Sequence, residues 1–132
     1  MRVEVRQIDG RRMEIDARGV TAVIDDLVED GGPGDGFRPT ELLVGALGAC
    51  TMGTVLTFAK NTGLDVTGVA MTLEAEKVAA PSRVGSISMV LEVSGDLDED
   101  DLERLWRVAA ACTVHNTLKN EPAIDLKLVS AE

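Results

Sequence analysis

The sequence predicts an α+β domain with a mostly antiparallel sheet of about six strands, one long central helix and a second amphipathic helix. Three observations lead to this class. Short alternating runs of apolar and polar residues are typical of half-buried strands. The stretch Pro39 to Lys60 is an apolar run of helical length, and the stretch after Asp98 repeats its apolar residues at helical spacing.

Size and composition fit a single domain over residues 1–132. The chain is 45% hydrophobic, which is enough to bury a core. Its formal charge of −10 opposes binding to nucleic acid and to anionic membrane surfaces. The N-terminus lacks the apolar core of an export signal. We therefore expect a cytoplasmic protein without a nucleic-acid or membrane partner.

The first third of the chain predicts three strands and a pliable loop. Asp9-Gly10 marks a hairpin turn, and Gly19 precedes a third strand from Val20 to Asp26. The following loop, Glu29 to Pro39, contains four Gly and two Pro, which oppose regular structure. It lacks the Gly-Lys-Ser/Thr ending of a phosphate-binding loop.

The stretch Pro39 to Lys60 is predicted to be a helix that is covered on every side. No charged residue lies between Leu42 and Ala59, and apolar residues surround the helix axis instead of forming one stripe. This uncharged run approaches the length of a membrane span, but three Gly and three Thr within it favour a core helix. Because a small monomer cannot wrap such a helix, we expect a homodimer whose partner supplies part of the cover.

Two long strands and a closing strand are predicted in the second half of the chain. Residues 69–75 and 87–93 alternate around a turn at Pro81-Ser82, with one face of the pair buried. Ile124, Leu126 and Leu128 then alternate as a final strand.

The second helix is predicted to begin near Asp98, where acidic residues meet the positive end of the helix dipole. Leu105 lies on its apolar stripe, and the same spacing places Cys112 on that buried stripe. The helical pattern resumes or kinks from Val114 to Lys119 and ends before Pro122.

Cys50 and Cys112 are the only cysteines, and three interpretations of them stay open. They are inert core residues, or a redox pair in which a sulfenic acid condenses with the second thiol, or ligands of a metal site completed by His115. The redox interpretation requires Cα atoms about 4.4–6.8 Å apart. A thiolate in an apolar environment also requires a nearby cation.

Several residues are candidates for supporting such a thiolate. Cations are available from the hairpin tip and the glycine-rich loop, namely Arg11, Arg12 and Arg38. Glu41 opens the central helix and is placed to fix an arginine. Further candidates for the pocket are Thr40, Thr54 and His115.

The string PTELLVGALGACTMGTVLTFAKNTG, together with the later AAACTVHNTL, resembles the family of osmotically inducible protein C and organic hydroperoxide resistance protein (OsmC/Ohr). The likeness extends over nearly the whole chain. It implies an intertwined homodimer with two long central helices back to back and thiol peroxidase sites at the dimer interface. It further implies that Cys50 is the peroxidatic cysteine, that Cys112 is the resolving cysteine, and that Arg11 or Arg12 holds the thiolate.

Two positions depart from the pattern of the dedicated peroxidases. Thr40 stands where those proteins carry a Glu after the proline, and Glu41 lies one place on, about 100° around the helix axis. Thr113 follows Cys112 where the family often has Pro. Both positions make the sequence resemble the broader OsmC-like branch.

The expected function is a thiol-dependent peroxidase that reduces organic hydroperoxides in oxidative-stress defence. The resemblance implies no bound cofactor and an external dithiol reductant of the lipoyl type. The alternative is a non-catalytic dimer that binds an apolar small molecule over the same helix.

Overall fold

A computed structural model of the chain describes residues 1–131. Its elements are β1 (Glu4–Asp9), β2 (Arg12–Ala17), β3 (Val20–Ile24), α1 (Pro39–Thr62), β4 (Asp65–Val78), β5 (Arg83–Asp96), α2 (Glu99–Ala109) and α3 (Thr113–Lys119), with a 3₁₀ turn at Val28–Asp30. The chain forms two compact units. The first unit comprises residues 1–46 and 73–88, and the second unit comprises residues 47–72 and the chain from Met89 onward.

The first unit contains an antiparallel sheet in the order β1-β2-β3. Arg18 and Gly19 form the turn between β2 and β3 with positive φ angles of 58° and 82°, which suits a tight hairpin. Beyond β3 the backbone pairs with the glycine-rich loop, because Asp25 N–H donates to Phe37 O at 3.1 Å. The predicted three-strand start is therefore confirmed, with the third strand two residues shorter.

The second unit has its core where α1 meets α2. Val55 and Ala59 of α1 pack with Leu105 of α2, and partly buried residues surround them: Phe58, Leu64, Val66, Leu91, Val93, Leu97 and Ala109. The start of α2 agrees with the sequence, since Asp98 caps the helix and exchanges reciprocal hydrogen bonds with Asp101.

The strands β4 and β5 hydrogen-bond to each other as a two-stranded sheet. Only residues 79–82 connect them, so the pairing is antiparallel. Half-buried and exposed positions alternate through the middle of both strands, which confirms the predicted pattern.

The predicted closing strand does not form. Residues 120–131 contain neither helix nor strand, and the side chains of Ile124, Leu126 and Leu128 are 88%, 91% and 98% exposed. A strand requires a neighbour that supplies backbone donors and acceptors, and alternation alone does not provide one. The described residues contain five strands, one fewer than the sequence predicts.

The prediction that Cys112 lies on the buried stripe of the second helix is wrong. The helix α2 ends at Ala109, and Cys112 is the N-cap residue of α3 with an extended backbone. Its side chain accepts a hydrogen bond from His115 N–H, which is the contact that an N-cap side chain makes. Cys112 is nevertheless buried, with 1% of its surface exposed.

The helix α1 begins at Pro39, as predicted, and ends two residues beyond the predicted Lys60, at Thr62. By length and composition it could cross a membrane, a test that core helices of soluble proteins also pass. Only 28% of its most apolar window is buried within one chain. The cover that the sequence demands is thus incomplete in the single chain.

Candidate functional site

The second unit brings the two thiols together. Cys50 lies in the middle of α1 and is half-buried, and Cys112 lies just before α3. Both are free thiols, and an interaction with the Cys50 side chain helps to lower the pKa of the Cys112 thiol. A pair that is remote in the sequence therefore forms a dithiol site.

Cys112 Sγ is surrounded by hydrogen-bonding groups. His115 N–H donates to it at 3.2 Å, and Thr51 Oγ1 lies 3.6 Å away. Thr51 is itself buried, so water does not compete for this contact. Together with Cys50, groups from α1 and from the start of α3 converge on one sulfur atom.

These contacts determine the acidity of Cys112. Burial raises the pKa of the Cys112 thiol, but hydrogen bonds from His115 N–H, Thr51 and Cys50 lower it by more. The resulting pKa lies below the ordinary value of a cysteine. The site therefore favours a thiolate on Cys112.

The threonine that contacts a thiol is Thr51 and not the predicted Thr54. Thr54 Oγ1 donates to the carbonyl oxygen of Cys50 at 3.0 Å, a contact within the helix backbone. Thr51 follows Cys50 directly in the sequence but points about 100° around the helix axis from it. No local signal could have identified Thr51, because its role depends on where Cys112 comes to lie.

An apolar cavity of about 720 Å³ lies in the second unit beside these groups. Thr51 and His115, which both contact Cys112 Sγ, lie on its wall, with apolar side chains from β4, β5 and α2: Met71, Met89, Leu91, Val93, Leu102, Leu105 and Trp106. An apolar cavity with a few polar groups at one end is the usual form of a small-molecule site.

The imidazole of His115 carries an unused polar atom. Its Nδ1 is buried and has no hydrogen-bond partner among residues 1–131. Leaving such a group unpaired costs about 1–3 kcal/mol. The predicted candidate His115 thus contacts Cys112 through its backbone, and the residue forms part of the cavity wall.

The hairpin arginines lie in the first unit and are paired with carboxylates. Arg12 Nη1 contacts Asp35 Oδ1 at 2.7 Å and Asp25 Oδ2 at 3.1 Å, which raises the pKa of Arg12. The hydrogen bond from Arg12 also lowers the pKa of Asp35. Arg11 pairs with Asp26 at 2.8 Å. The assistance of either arginine to Cys50 stays a prediction.

The start of α1 also belongs to the first unit. Arg38 N–H donates to Glu41 Oε1 at 2.8 Å, and the Arg38 side chain lies 3.4 Å from the same atom. The backbone hydrogen bond is the main reason that the pKa of Glu41 is lowered. Both residues and Thr40 line a second cavity of about 420 Å³.

Sequence reasoning missed the carboxylates that hold Arg12. Asp25 is buried at the end of the first unit's sheet, and Asp35 lies in the glycine-rich loop. The available signal was the pair Asp25-Asp26 directly after an apolar strand, an unusual place for two charges.

The metal interpretation receives no support from geometry. Within residues 1–131 no group of three or more His, Cys, Asp or Glu side chains is arranged to hold a metal ion.

The domain is α+β, with one thiol in the middle of its long apolar helix and a second thiol near the first. These features define a class of dithiol-bearing proteins. The model of the family described as OsmC-like protein matches residues 32–127. The chain therefore belongs to the OsmC-like protein family, which confirms the resemblance seen in the sequence. No curated protein matches the chain.

Solved structures share this fold. An OsmC-like protein from Mycoplasma pneumoniae has a TM-score of 0.79 and 18% identity, covering 91% of this chain and 87% of that one. The organic hydroperoxide resistance protein OhrB of Bacillus subtilis has a TM-score of 0.66 and 20% identity, with 91% and 90% covered. An organic hydroperoxide resistance protein from Legionella pneumophila has a TM-score of 0.68 and 20% identity, with 89% and 88% covered.

Proposed function

We propose that this protein is a cytoplasmic thiol-dependent peroxidase that reduces organic hydroperoxides. The observation that carries the proposal is that Cys50 and Cys112 interact, because the Cys50 side chain helps to lower the pKa of the Cys112 thiol. Two neighbouring thiols can form a disulfide after one sulfur is oxidised. Similar structures named as organic hydroperoxide resistance proteins support the substrate class.

In the proposed reaction Cys50 is the peroxidatic residue. Its sulfur attacks the O–O bond of the hydroperoxide, which yields an alcohol and a sulfenic acid on Cys50. Cys112 then attacks that sulfenic acid, a disulfide forms, and the hydroxyl group leaves as water. The apolar cavity beside the pair offers room for the organic group of the substrate.

An external dithiol reductant then restores both thiols. Thiol–disulfide exchange proceeds through a mixed disulfide, so no resident cofactor is needed. The family resemblance implies a lipoyl-type donor. It also implies that Arg11 or Arg12 holds the reactive thiolate. From the residues themselves, Glu41 is proposed as a positioning group, and Arg38 and Thr40 as supporting residues.

The proposed assembly is a homodimer. The segment 120–131 exposes a row of large apolar side chains, and α1 is only 28% buried in its most apolar window. Exposed apolar surface of this extent is typical of an interface. Light scattering after gel filtration tests the assembly, and the mass of a single chain would exclude it.

Stopped-flow kinetics with cumene hydroperoxide test the activity. We expect the parent protein to consume one equivalent rapidly, and Cys50→Ser to lose this reaction. Mass spectrometry should show a loss of about 2 Da as the disulfide forms. If Cys50→Ser consumes peroxide as fast as the parent, the assignment of Cys50 is wrong.

A passive binding protein is the alternative, and the apolar cavity favours it. Such a protein would hold an apolar molecule with one polar group. After one equivalent of peroxide, its thiols would stay reduced in the mass spectrum. The same measurement therefore distinguishes the two functions.

A further inference from the structure

Two methionines lie on the wall of the apolar cavity in the second unit. Met71 belongs to β4 and Met89 to β5, and both line the cavity. Both are half-buried, whereas their neighbours Thr72 and Val90 are exposed. Successive side chains of a strand point to opposite faces, so the half-buried face of each strand is the one turned towards the cavity. Two thioether side chains therefore belong to this wall.

The rest of the wall is suited to holding an organic group beside these methionines. Leu91 and Val93 continue the same face of β5, and Leu105 and Trp106 of α2 also line the cavity. Burial of apolar surface contributes about 25 cal/mol per Å², so this wall retains an organic hydroperoxide better than hydrogen peroxide. A hydroperoxide bound here raises the effective concentration of its O–O bond at the thioethers.

We propose that Met71 and Met89 are a specific oxidation site for organic hydroperoxides, and that their conversion to methionine sulfoxide weakens further binding of apolar substrates in this cavity. The inference rests on the proposed function for its oxidant, since that function brings an organic hydroperoxide to the cavity. It adds a second reaction of the same substrate. This reaction becomes prominent when the dithiol is already oxidised and the hydroperoxide is no longer consumed.

Each oxidation is the transfer of one oxygen atom. The thioether sulfur attacks the terminal oxygen of the hydroperoxide, so that an S–O bond forms and the O–O bond breaks. The proton on that oxygen moves to the leaving alkoxide, which departs as the alcohol. The sulfur atom loses two electrons and the hydroperoxide gains them, so the reaction balances without a further reactant.

The sulfoxide changes the chemistry of the cavity wall. Oxidation converts a flexible apolar side chain into a polar one, and a polar group is costly to bury without a hydrogen-bond partner. The organic group of a substrate therefore loses favourable contact with the wall. Neither thiol is altered by this reaction, so we expect KM to rise while kcat is retained.

The chain contains internal controls for the site of oxidation. It has five methionines, and Met13 and Met52 are also half-buried but do not line the cavity. Similar exposure with a different location separates the effect of the cavity from that of solvent access. Met71 and Met89 lie on different tryptic peptides, so mass spectrometry measures each of them separately.

The first experiment maps the oxidation in a protein that combines Cys50→Ser with Cys112→Ser, so that no thiol competes for the oxidant. We expect cumene hydroperoxide to oxidise Met71 and Met89 about tenfold faster than the control methionines, because the cavity binds the oxidant. The rate at these two residues should saturate as the hydroperoxide concentration rises. Hydrogen peroxide has no organic group for the cavity to hold, and it should show neither the preference nor the saturation.

The second experiment measures the effect on binding. The parent protein is treated with excess cumene hydroperoxide, its disulfide is reduced with dithiothreitol, and KM and kcat are then determined. We expect KM to rise about fourfold, the factor for losing roughly one buried CH₂ group of apolar contact. The combined variant Met71→Leu and Met89→Leu conserves volume and apolar character, and its KM should not change after the same treatment. Overoxidation of Cys50 would instead lower kcat in both proteins.

The outcomes separate this inference from the proposed function. If the control methionines are oxidised as fast as Met71 and Met89, or if the rate at the cavity does not saturate, the oxidation site is wrong. Loss of about 2 Da from the parent would still support the peroxidase. If the parent thiols stay reduced while Met71 and Met89 react selectively, the peroxidase function fails and the oxidation site stands. An unchanged KM after sulfoxide formation would overturn the effect on binding.

Discussion

Thr51 Oγ1 lies 3.6 Å from Cys112 Sγ, although Thr51 directly follows Cys50 in the chain. One helical residue thus contributes a thiol to the site, and its neighbour contributes a hydroxyl to the opposite thiol. The contact fixes the start of α3 against α1 within the second unit. It also makes the acidity of Cys112 depend on the packing of α1.

The stability of the protein should depend on pH through Cys112. Its pKa is lowered in the folded chain from the ordinary value of a cysteine, because hydrogen bonds at the sulfur outweigh the effect of burial. The stabilisation is therefore complete above the unfolded pKa and is lost as the pH falls through the folded pKa. Urea unfolding of the parent and of Cys112→Ser over this pH range measures the stabilisation. If the free energies of unfolding of the two proteins change with pH in parallel, the prediction is wrong.

Truncating Leu105 should destabilise the second unit strongly. Leu105 is 2% exposed and packs against Val55 and Ala59. Leu105→Ala should lower the free energy of unfolding by about 2–5 kcal/mol. The control is Leu102→Ala on the same helix, because Leu102 is largely exposed. Urea denaturation should show a much smaller loss for the control.

Removing the cap of α2 should have a moderate effect. Asp98 accepts from Asp101 N–H at 2.8 Å, and Asp98→Ala should cost about 0.5–2 kcal/mol. Asp100→Ala removes an acidic residue from the same turn without removing the cap. Thermal unfolding of both variants tests this prediction. Equal losses of stability would show that the negative charge, and not the capping hydrogen bond, stabilises the helix.

The buried carboxylate beside Arg12 should matter more than the exposed one. Asp25 is buried and accepts from Arg12 and from Asp26 N–H, so Asp25→Ala should cost about 1–3 kcal/mol. Asp35 is exposed, so water screens its pairing with Arg12, and the loss of its carboxylate should cost less. Denaturation of Asp25→Ala and Asp35→Ala compares them, and a larger loss for Asp35→Ala would contradict this ranking.

Trp106 should report occupation of the cavity. It is the only tryptophan and lines the cavity while remaining 76% exposed. Cumyl alcohol, which resembles the reaction product, should shift its fluorescence to shorter wavelength by excluding water. An unchanged emission at saturating alcohol would exclude binding in this cavity.

Local patterns predicted the elements that are determined locally. The cap at Asp98, the turn at Gly19 and the alternation of β4 and β5 depend on neighbours in the sequence. The contact of Thr51 with Cys112 depends on residues that are remote along the chain, so no pattern contained it. The segment around Leu126 has strand-like alternation, but a strand also requires a neighbour that this pattern does not specify.

In the proposed function the sulfur of Cys112 is a redox atom, and in the structure it is also the cap of a helix, since it accepts the His115 N–H. A disulfide sulfur is a weaker acceptor than a thiolate. Oxidation therefore loosens the first turn of α3, and the amide hydrogen of His115 should exchange with solvent faster in the oxidised protein. Hydrogen exchange at the His115 amide would therefore report the oxidation state of the cysteine pair.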